Sequence, residues 1–275
     1  MFQYGADSLA AAPPTIYMPT NYNKEKEIAV SIAREAGKII VEYFDIDQQV
    51  EIKEDKSPVT IADKKVNSLV IERLSEAFPD DGIVGEEEST SEYGMGRKWI
   101  CDPIDGTAGY IWGTPTAFFS LALVVDGHPV LGVVYDAFLD KMYIGQEGQP
   151  SECNGKIIFV SSLTIFEGVV AVTGGVRNLL RSSYCKKLVD DKIKLACFSG
   201  AVIKACLLAR GKFSGFIEPG VNLHDIAAIH TIVEGAGGKI TSMNGGEITY
   251  LKPIKGCIIS NGINHAELIE YCREG

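Results

Sequence analysis

The sequence predicts a layered mixed fold, α+β in its first half and α/β in its second, on three observations. Residues 24–74 carry two stretches with apolar residues at helical spacing, and residues 82–144 hold short apolar runs separated by turn residues. Beyond about residue 156, strand-like and helix-like segments alternate. Alternation of that kind packs helices in layers against sheets. With 275 residues the chain can bury a sizeable core, as one large domain or two sub-domains.

Each element has its own local reason. Ile28, Ile32, Ile39, Ile40, Tyr43 and Phe44, with charges between them, predict a helix over 24–44. A second helix is expected to start at Thr60, a good N-cap with Asp63 three residues on and an apolar stripe of Val66, Leu69, Val70 and Leu74. Gly82–Gly85 and Lys98–Cys101 are short apolar runs that end in acids. Ala117–Val125 and Val130–Tyr135 predict strands joined by a hairpin turn over Asp126–Pro129, and Met142–Ile144 continues the meander. The second half then reads strand 169–172, helix 176–189, strand 194–198, helix 202–208 and strand 213–217. A helix over 225–234, stopped by Gly235, Gly237 and Gly238, a strand at Ile258-Ile259 and a C-terminal helix complete it. The expected organisation is a poorly ordered tail over 1–23, an α+β sub-domain over 24–155 and an α/β sub-domain over 156–275.

Composition removes several classes of function. Thirty-six acids against twenty-six bases leave a net charge of −10, which argues against a nucleic-acid partner, since that needs clustered Lys and Arg. No apolar run approaches a membrane span, so no membrane partner is expected. The first 23 residues lack Lys, Arg and a compact apolar segment, and are not read as a secretory signal. Seven cysteines, odd in number and without a CxxC pair, read as free thiols in a reducing cytoplasm.

The acids carry the chemistry. They fall in Gly85-Glu86-Glu87-Glu88, in Asp102-Pro103-Ile104-Asp105-Gly106-Thr107, at Asp225 near a helix start, and at Asp63 in the first turn of the second helix. Pro103 biases Asp102 toward an extended backbone, and Gly106 permits a tight turn after Asp105. The two carboxylates then project to one side, with the Ile104 carbonyl and a nearby hydroxyl completing an all-oxygen set. Such a set suits Mg²⁺, whereas zinc prefers His and Cys. With Glu86 and Asp225 there are more carboxylates than one ion needs, so two or three Mg²⁺ ions are expected. Metals paired about 3.5–4 Å apart assist transfer of a phosphoryl group to water.

Four ordered motifs resemble the inositol monophosphatase family of Mg²⁺-dependent, often lithium-sensitive phosphatases. They are Ser57–Asp63 (SPVTIAD), Gly85-Glu86-Glu87, Trp99–Thr107 (WICDPIDGT) and Asp225 with Ala227-Ala228 and Glu234–Gly238; Gly132–Tyr135 (GVVY) is also similar. The resemblance runs from about Lys24 to the C-terminus. It implies a layered αβαβα sandwich of the sugar-phosphatase type, usually a homodimer, and a small phosphorylated substrate. It implies that Glu86, Asp102, the Ile104 carbonyl, Asp105 and Asp225 bind metal, and that Thr107, paired with Glu86, orients and deprotonates the attacking water. Asp63 would support a weaker third ion or its waters. The Gly106 and Thr107 amides would cradle phosphate, Glu218 would bind substrate hydroxyls, and Ala201 and Asp225 would line the same pocket.

Blander readings stand beside these. Asp63 could be only a capping-box acid, Asp225 only a helix-terminus acid, and Glu218 only a surface acid before Pro219. Glu87 and Glu88 read as solvated, His224 and His230 as structural, and Lys53 or Lys56 either neutralises substrate charge or is solvated. Departures from the family pattern leave the substrate open. Ala108-Gly109-Tyr110 follows the Asp-Gly-Thr run and is similar to 3′-phosphoadenosine nucleotidases; His224 replaces the usual Trp; Glu234–Gly238 resembles histidinol-phosphate phosphatases. Inositol monophosphate is the first expectation, histidinol phosphate or a 3′(2′),5′-bisphosphate nucleotide the alternatives. A regulatory, protein-binding member that keeps the fold is the alternative of another class.

Overall fold

The computed structural model describes residues 21–46, 49–54, 57–173 and 175–273. Most of the expected 1–23 tail lies outside them, but Tyr22 is buried and Asn23 already belongs to the first helix. That helix, α1 (Asn23–Glu42), buries Ala29, Ile32, Ala33, Ala36 and Ile40, one stripe at helical spacing. A small antiparallel ladder of β1 (Glu51–Ile52) and β2 (Pro58–Val59) leads to α2 (Ile61–Ala77). Thr60 caps α2 as expected: its hydroxyl accepts from the Asp63 N–H, and the Asp63 carboxylate accepts from the Thr60 N–H.

A seven-stranded sheet follows in chain order: β3 (Gly82–Gly85), β4 (Arg97–Asp105), β5 (Phe118–Val125), β6 (His128–Asp136), β7 (Lys141–Gln146), β8 (Glu152–Cys153) and β9 (Lys156–Ile157). The first pair is parallel and the rest antiparallel. A short helix, α3 (Thr107–Ile111), links β4 to β5. Strand β5 explains its own unbroken apolar run, because both faces are covered. Phe119, Leu121 and Leu123 join the core with α1 and α2, whereas Phe118, Ala122 and Val124 join the core on the opposite face. The turn between β5 and β6 is only Asp126-Gly127, both with positive φ (49° and 83°), the backbone a two-residue hairpin needs. His128 and Pro129, expected in the turn, already belong to the strand.

The second half supplies β10 (Val169–Val172), α4 (Val176–Arg181), α5 (Ser183–Asp190), β11 (Lys194–Cys197), α6 (Ala201–Ala209) and β12 (Gly215–Glu218). It ends with α7 (Leu223–Gly235), β13 (Lys239–Ser242), β14 (Cys257–Ser260) and α8 (His265–Arg273). Its sheet runs β11-β10-β12-β14-β13, parallel across the first three strands and antiparallel after. The helix expected over 176–189 is two helices. Ser182 breaks it with an extended backbone (ψ 121°) and a side chain that accepts from the Cys185 N–H.

The layers stack as expected for an αβαβα sandwich. Helices α1 and α2 cover one face of the large sheet, α6 and α7 fill the space between the sheets, and α5 and α8 cover the outer face of the small sheet. Helix α7 is apolar on nearly every side, with Leu223, Ile226, Ala227, Ala228, Ile229, Ile232 and Val233 all buried, as a helix enclosed by two sheets must be. The central core draws on both halves of the chain, from Val84 and Ile100 to Phe216 and Ile259. Among the described residues no helix is long and apolar enough to cross a membrane.

Close approach of α7 to the large sheet depends on two glycines. A Cβ on Gly132 of β6 would collide with the Ala228 carbonyl, and one on Gly145 of β7 with the Ile232 amide. Backbone cannot yield as a flexible side chain does. Gly132→Ala is therefore expected to lower stability by about 1–3 kcal/mol, read as a shifted urea midpoint at unchanged slope. An unshifted midpoint would show that α7 is not held this tightly.

Candidate metal centre

Asp102 and Asp105 occupy the C-terminal end of β4, three residues apart. In a regular strand they would point to opposite faces. The register with β5 slips between them, where Pro103 has no N–H to give the ladder. A bulge of this kind re-aims side chains. Asp102 Oδ1 accepts from the Ile104 N–H at 3.0 Å. Gly106 (φ 89°) then turns the chain into α3, which delivers Thr107. Its Oγ1 donates to the Ile104 carbonyl at 3.0 Å and lies 3.5 Å from Asp63 Oδ1.

The remaining acids come from distant elements. Asp105 accepts from the Ala201 and Val202 N–H groups at 2.9 and 3.1 Å, the unpaired donors at the start of α6. That approach requires Gly200 (φ 93°), because a Cβ there would lie 2.9 Å from Asp105 Oδ2. The Ala201 amide is thus engaged by Asp105. Asp225 sits in the first turn of α7, where its carboxylate accepts from the Asn222 N–H at 2.5 Å. Asp102, Asp105 and Asp225 each offer an oxygen within 4.8 Å of the others. Glu86 follows β3, its N–H on the Cys101 carbonyl at 3.1 Å, one residue from Asp102.

The Glu86 side chain is held by Lys53 at 2.8 Å, and Glu87 shares the same ammonium at 2.8 Å. Glu87 is therefore not the solvated acid expected; its side chain is 9% exposed, whereas Glu88 is exposed. Lys56 lies outside the described residues. Thr107 meets Asp63, and among the described residues no hydrogen bond joins it to Glu86. Glu218 ends β12 and pairs with Lys204 at 3.0 Å. Sequence reasoning missed Lys204, although one charge inside the apolar helix AVIKACLLA was the available signal. It also missed Tyr93, whose hydroxyl is pushed up to about 12 by burial and by the nearby Asp225 and Glu86. His230 is structural as expected, with Nδ1 2.9 Å from the Tyr250 hydroxyl.

Burial raises the carboxyls of Asp63, Asp102, Asp105 and Asp225. Asp102 is pushed well above the usual range by burial and then by repulsion from Glu86, Asp105, Asp225 and Asp63. Asp105 rises to about 7 through burial and Asp225, against the Ala201 hydrogen bond and the charge of Lys204. Asp225 rises to about 7 through burial, with Glu86 and Glu218 adding to it and the Asn222 hydrogen bond opposing. Asp63 also rises to about 7, again chiefly through burial, against its Thr60 hydrogen bonds. Two like charges 4 Å apart repel by about 4 kcal/mol even at an effective dielectric constant near 20. His224 offers no relief, although its Nε2 lies 3.6 Å from Asp225, because burial lowers its pKa and keeps the ring neutral. An all-oxygen set of mutually repelling buried carboxylates fits hard divalent cations. A separate cleft of about 850 Å³ opens beside Glu234 and Gly235, at the other end of α7, and includes none of these acids.

Known proteins are similar to this chain in sequence and fold. A model of the inositol monophosphatase family covers residues 21–275. Inositol monophosphatase 1 of Xenopus laevis is 32% identical over 80% of this chain and 82% of its own length. The histidinol-phosphatase of Mycobacterium tuberculosis is 30% identical over 90% of this chain and 97% of its own. A solved Thermotoga maritima IMPase superimposes with a TM-score of 0.81 at 29% identity, covering 91% of this chain and 97% of that one. Fold and relatives together define a phosphoric monoester hydrolase of a metal-dependent class that acts on small phosphorylated substrates. The chain belongs to the inositol monophosphatase family.

Raised carboxyl pKa values have a definite sign. The folded, metal-free protein holds protons more tightly than the unfolded chain, so this contribution to stability is complete below the ordinary carboxyl range and is lost as pH rises through about 7. Cations replace those protons. The gain in Tm on adding Mg²⁺ to chelator-treated protein is therefore expected to be larger at about pH 8 than at about pH 6. A gain that is flat or falls with pH would contradict the electrostatic account.

Proposed function

We propose that the protein is a Mg²⁺-dependent phosphomonoesterase for a small polyol phosphate, with inositol monophosphate the foremost substrate. The convergence of buried Asp102 and Asp105 with half-buried Asp225 on one point carries this reading. Glu86, Asp102, the Ile104 carbonyl, Asp105 and Asp225 supply more oxygen donors than one ion needs, which supports two or three ions. Bound Mg²⁺ would supply charge neutralisation, polarisation of the phosphoryl group and acidification of water.

The remaining work falls to the chain's own groups. Thr107 orients the attacking water, and Asp63, 3.5 Å from its hydroxyl, stands as the acceptor for the proton released. Gly106 and Thr107 amides are assigned to the substrate phosphate. Ala201 lines the pocket with its side chain, since its amide serves Asp105. Glu218 accepts from a substrate hydroxyl, and Asp225 orients the water that returns a proton to the leaving alkoxide. A homodimer in the cytoplasm, sensitive to lithium, completes the reading, and the seven free thiols support a reducing compartment.

Histidinol phosphate is the second reading, favoured by the relative that bears that name. Phosphate release should be compared across inositol 1-phosphate, histidinol phosphate, fructose 1,6-bisphosphate and 3′-phosphoadenosine 5′-phosphate. Inositol 1-phosphate is expected to give the highest kcat/KM; a clear lead for any other substrate would overturn the assignment. Asp102→Asn should lower turnover more than about 100-fold, beyond the roughly 10–100-fold typical of outer-shell partners of a metal, while leaving the far-ultraviolet circular dichroism unchanged. Full activity in that variant would remove Asp102 from the centre.

A further inference from the structure

The ammonium of Lys204 is far less exposed than that of Lys53, the other lysine at the site. It lies in the middle of α6 at 1% exposure, flanked by apolar neighbours. Its Nζ donates to the Val172 carbonyl at 3.2 Å and to Glu218 Oε2 at 3.0 Å, and sits 4.7 Å from the centre of the Phe216 ring. It thereby ties the central helical layer to β10 and β12. Such a pair adds little stability over apolar side chains of the same size. Its effect is on the charge of the pocket wall.

We propose that Lys204 cancels the charge of Glu218 and so selects a substrate that presents a neutral hydroxyl there over one that presents an ammonium group. The inference rests on the reading of Glu218 as the acid that meets the substrate. Glu218 is 8% exposed and its charge reaches Asp225, so it borders the acidic cluster. One of its oxygens, Oε2, is occupied by Lys204; Oε1 is left to accept from an incoming group. A hydroxyl satisfies that oxygen without adding charge. An ammonium would meet the same oxygen with a second, buried cation fixed behind it, a repulsion that the low-dielectric interior does not screen. Lys204 is too buried to touch the substrate and acts through Glu218 as a positioning residue.

The test uses the Mg²⁺-loaded enzyme and paired probes that differ in this group: 2-hydroxyethyl phosphate against 2-aminoethyl phosphate, and inositol 1-phosphate against histidinol phosphate. Wild type is expected to favour the hydroxyl member of each pair by roughly tenfold or more in kcat/KM. Lys204→Met keeps the length and removes the charge. It should shift both ratios toward the amine by about tenfold, mainly through KM. Mere structural damage would lower both members together. The Lys204→Met/Glu218→Gln double variant restores a neutral pair without a buried lone charge and covers the case in which the single variant fails to fold. It should return the ratios to near those of wild type. Release of phosphate with ratios that favour the amine in wild type, or that Lys204→Met leaves unchanged, overturns the inference alone. The same holds if the double variant departs from wild type. No release from any of the four probes by wild type overturns the phosphatase reading and the inference with it.

Discussion

Mutual repulsion among buried carboxylates is the constraint on which the rest of this structure depends. Asp102 and Asp105 flank a bulge at the end of β4, and Asp225 enters from the helical layer above it. Burial and proximity raise the pKa of all three, so the folded chain carries an electrostatic load that the surrounding packing must bear. The packing does so by rigidity. Glycines at 132 and 145 let α7 lie directly on the sheet, and Gly200 lets the start of α6 reach the Asp105 carboxylate. Cations bound among the acids would remove the load and turn it to chemical use.

The chain's own cations stand at the rim. Lys53 binds Glu86 and Glu87 on one side, and Lys204 binds Glu218 on the other. Among the described residues, neither lysine forms an ion pair with Asp102, Asp105 or Asp225. Lys204 balances Glu218 and the single charge of Lys53 is shared between Glu86 and Glu87, so the three aspartates are left for ions from solution.

Much of this was legible in sequence because it is local. Thr60 and Asp63 announce a capping box through residue type and spacing, and the Asp-Pro-Ile-Asp-Gly-Thr run announces a strand that breaks into a turn. Layering of helices on sheets follows from the alternation, and its αβαβα order was read from the family resemblance. Elements without a period stayed hidden: β1, β2, β8 and β9 are two residues each, too short to show alternation. The break at Ser182 was invisible because a serine inside a helical pattern signals a cap only once its backbone is extended. Partners distant in the chain were hardest to read. Nothing near Glu87 in the sequence points to Lys53, and nothing near Glu218 points to Lys204, fourteen residues away on another layer.

Location of the ions tests the central claim most directly. Crystals grown or soaked with Mn²⁺, an oxygen-preferring stand-in for Mg²⁺ with an anomalous signal, can be measured near the manganese absorption edge. The account predicts anomalous peaks bounded by the carboxylates of Asp102, Asp105 and Asp225. Well-ordered carboxylates with no peak between them, or peaks only at other surfaces, would contradict it.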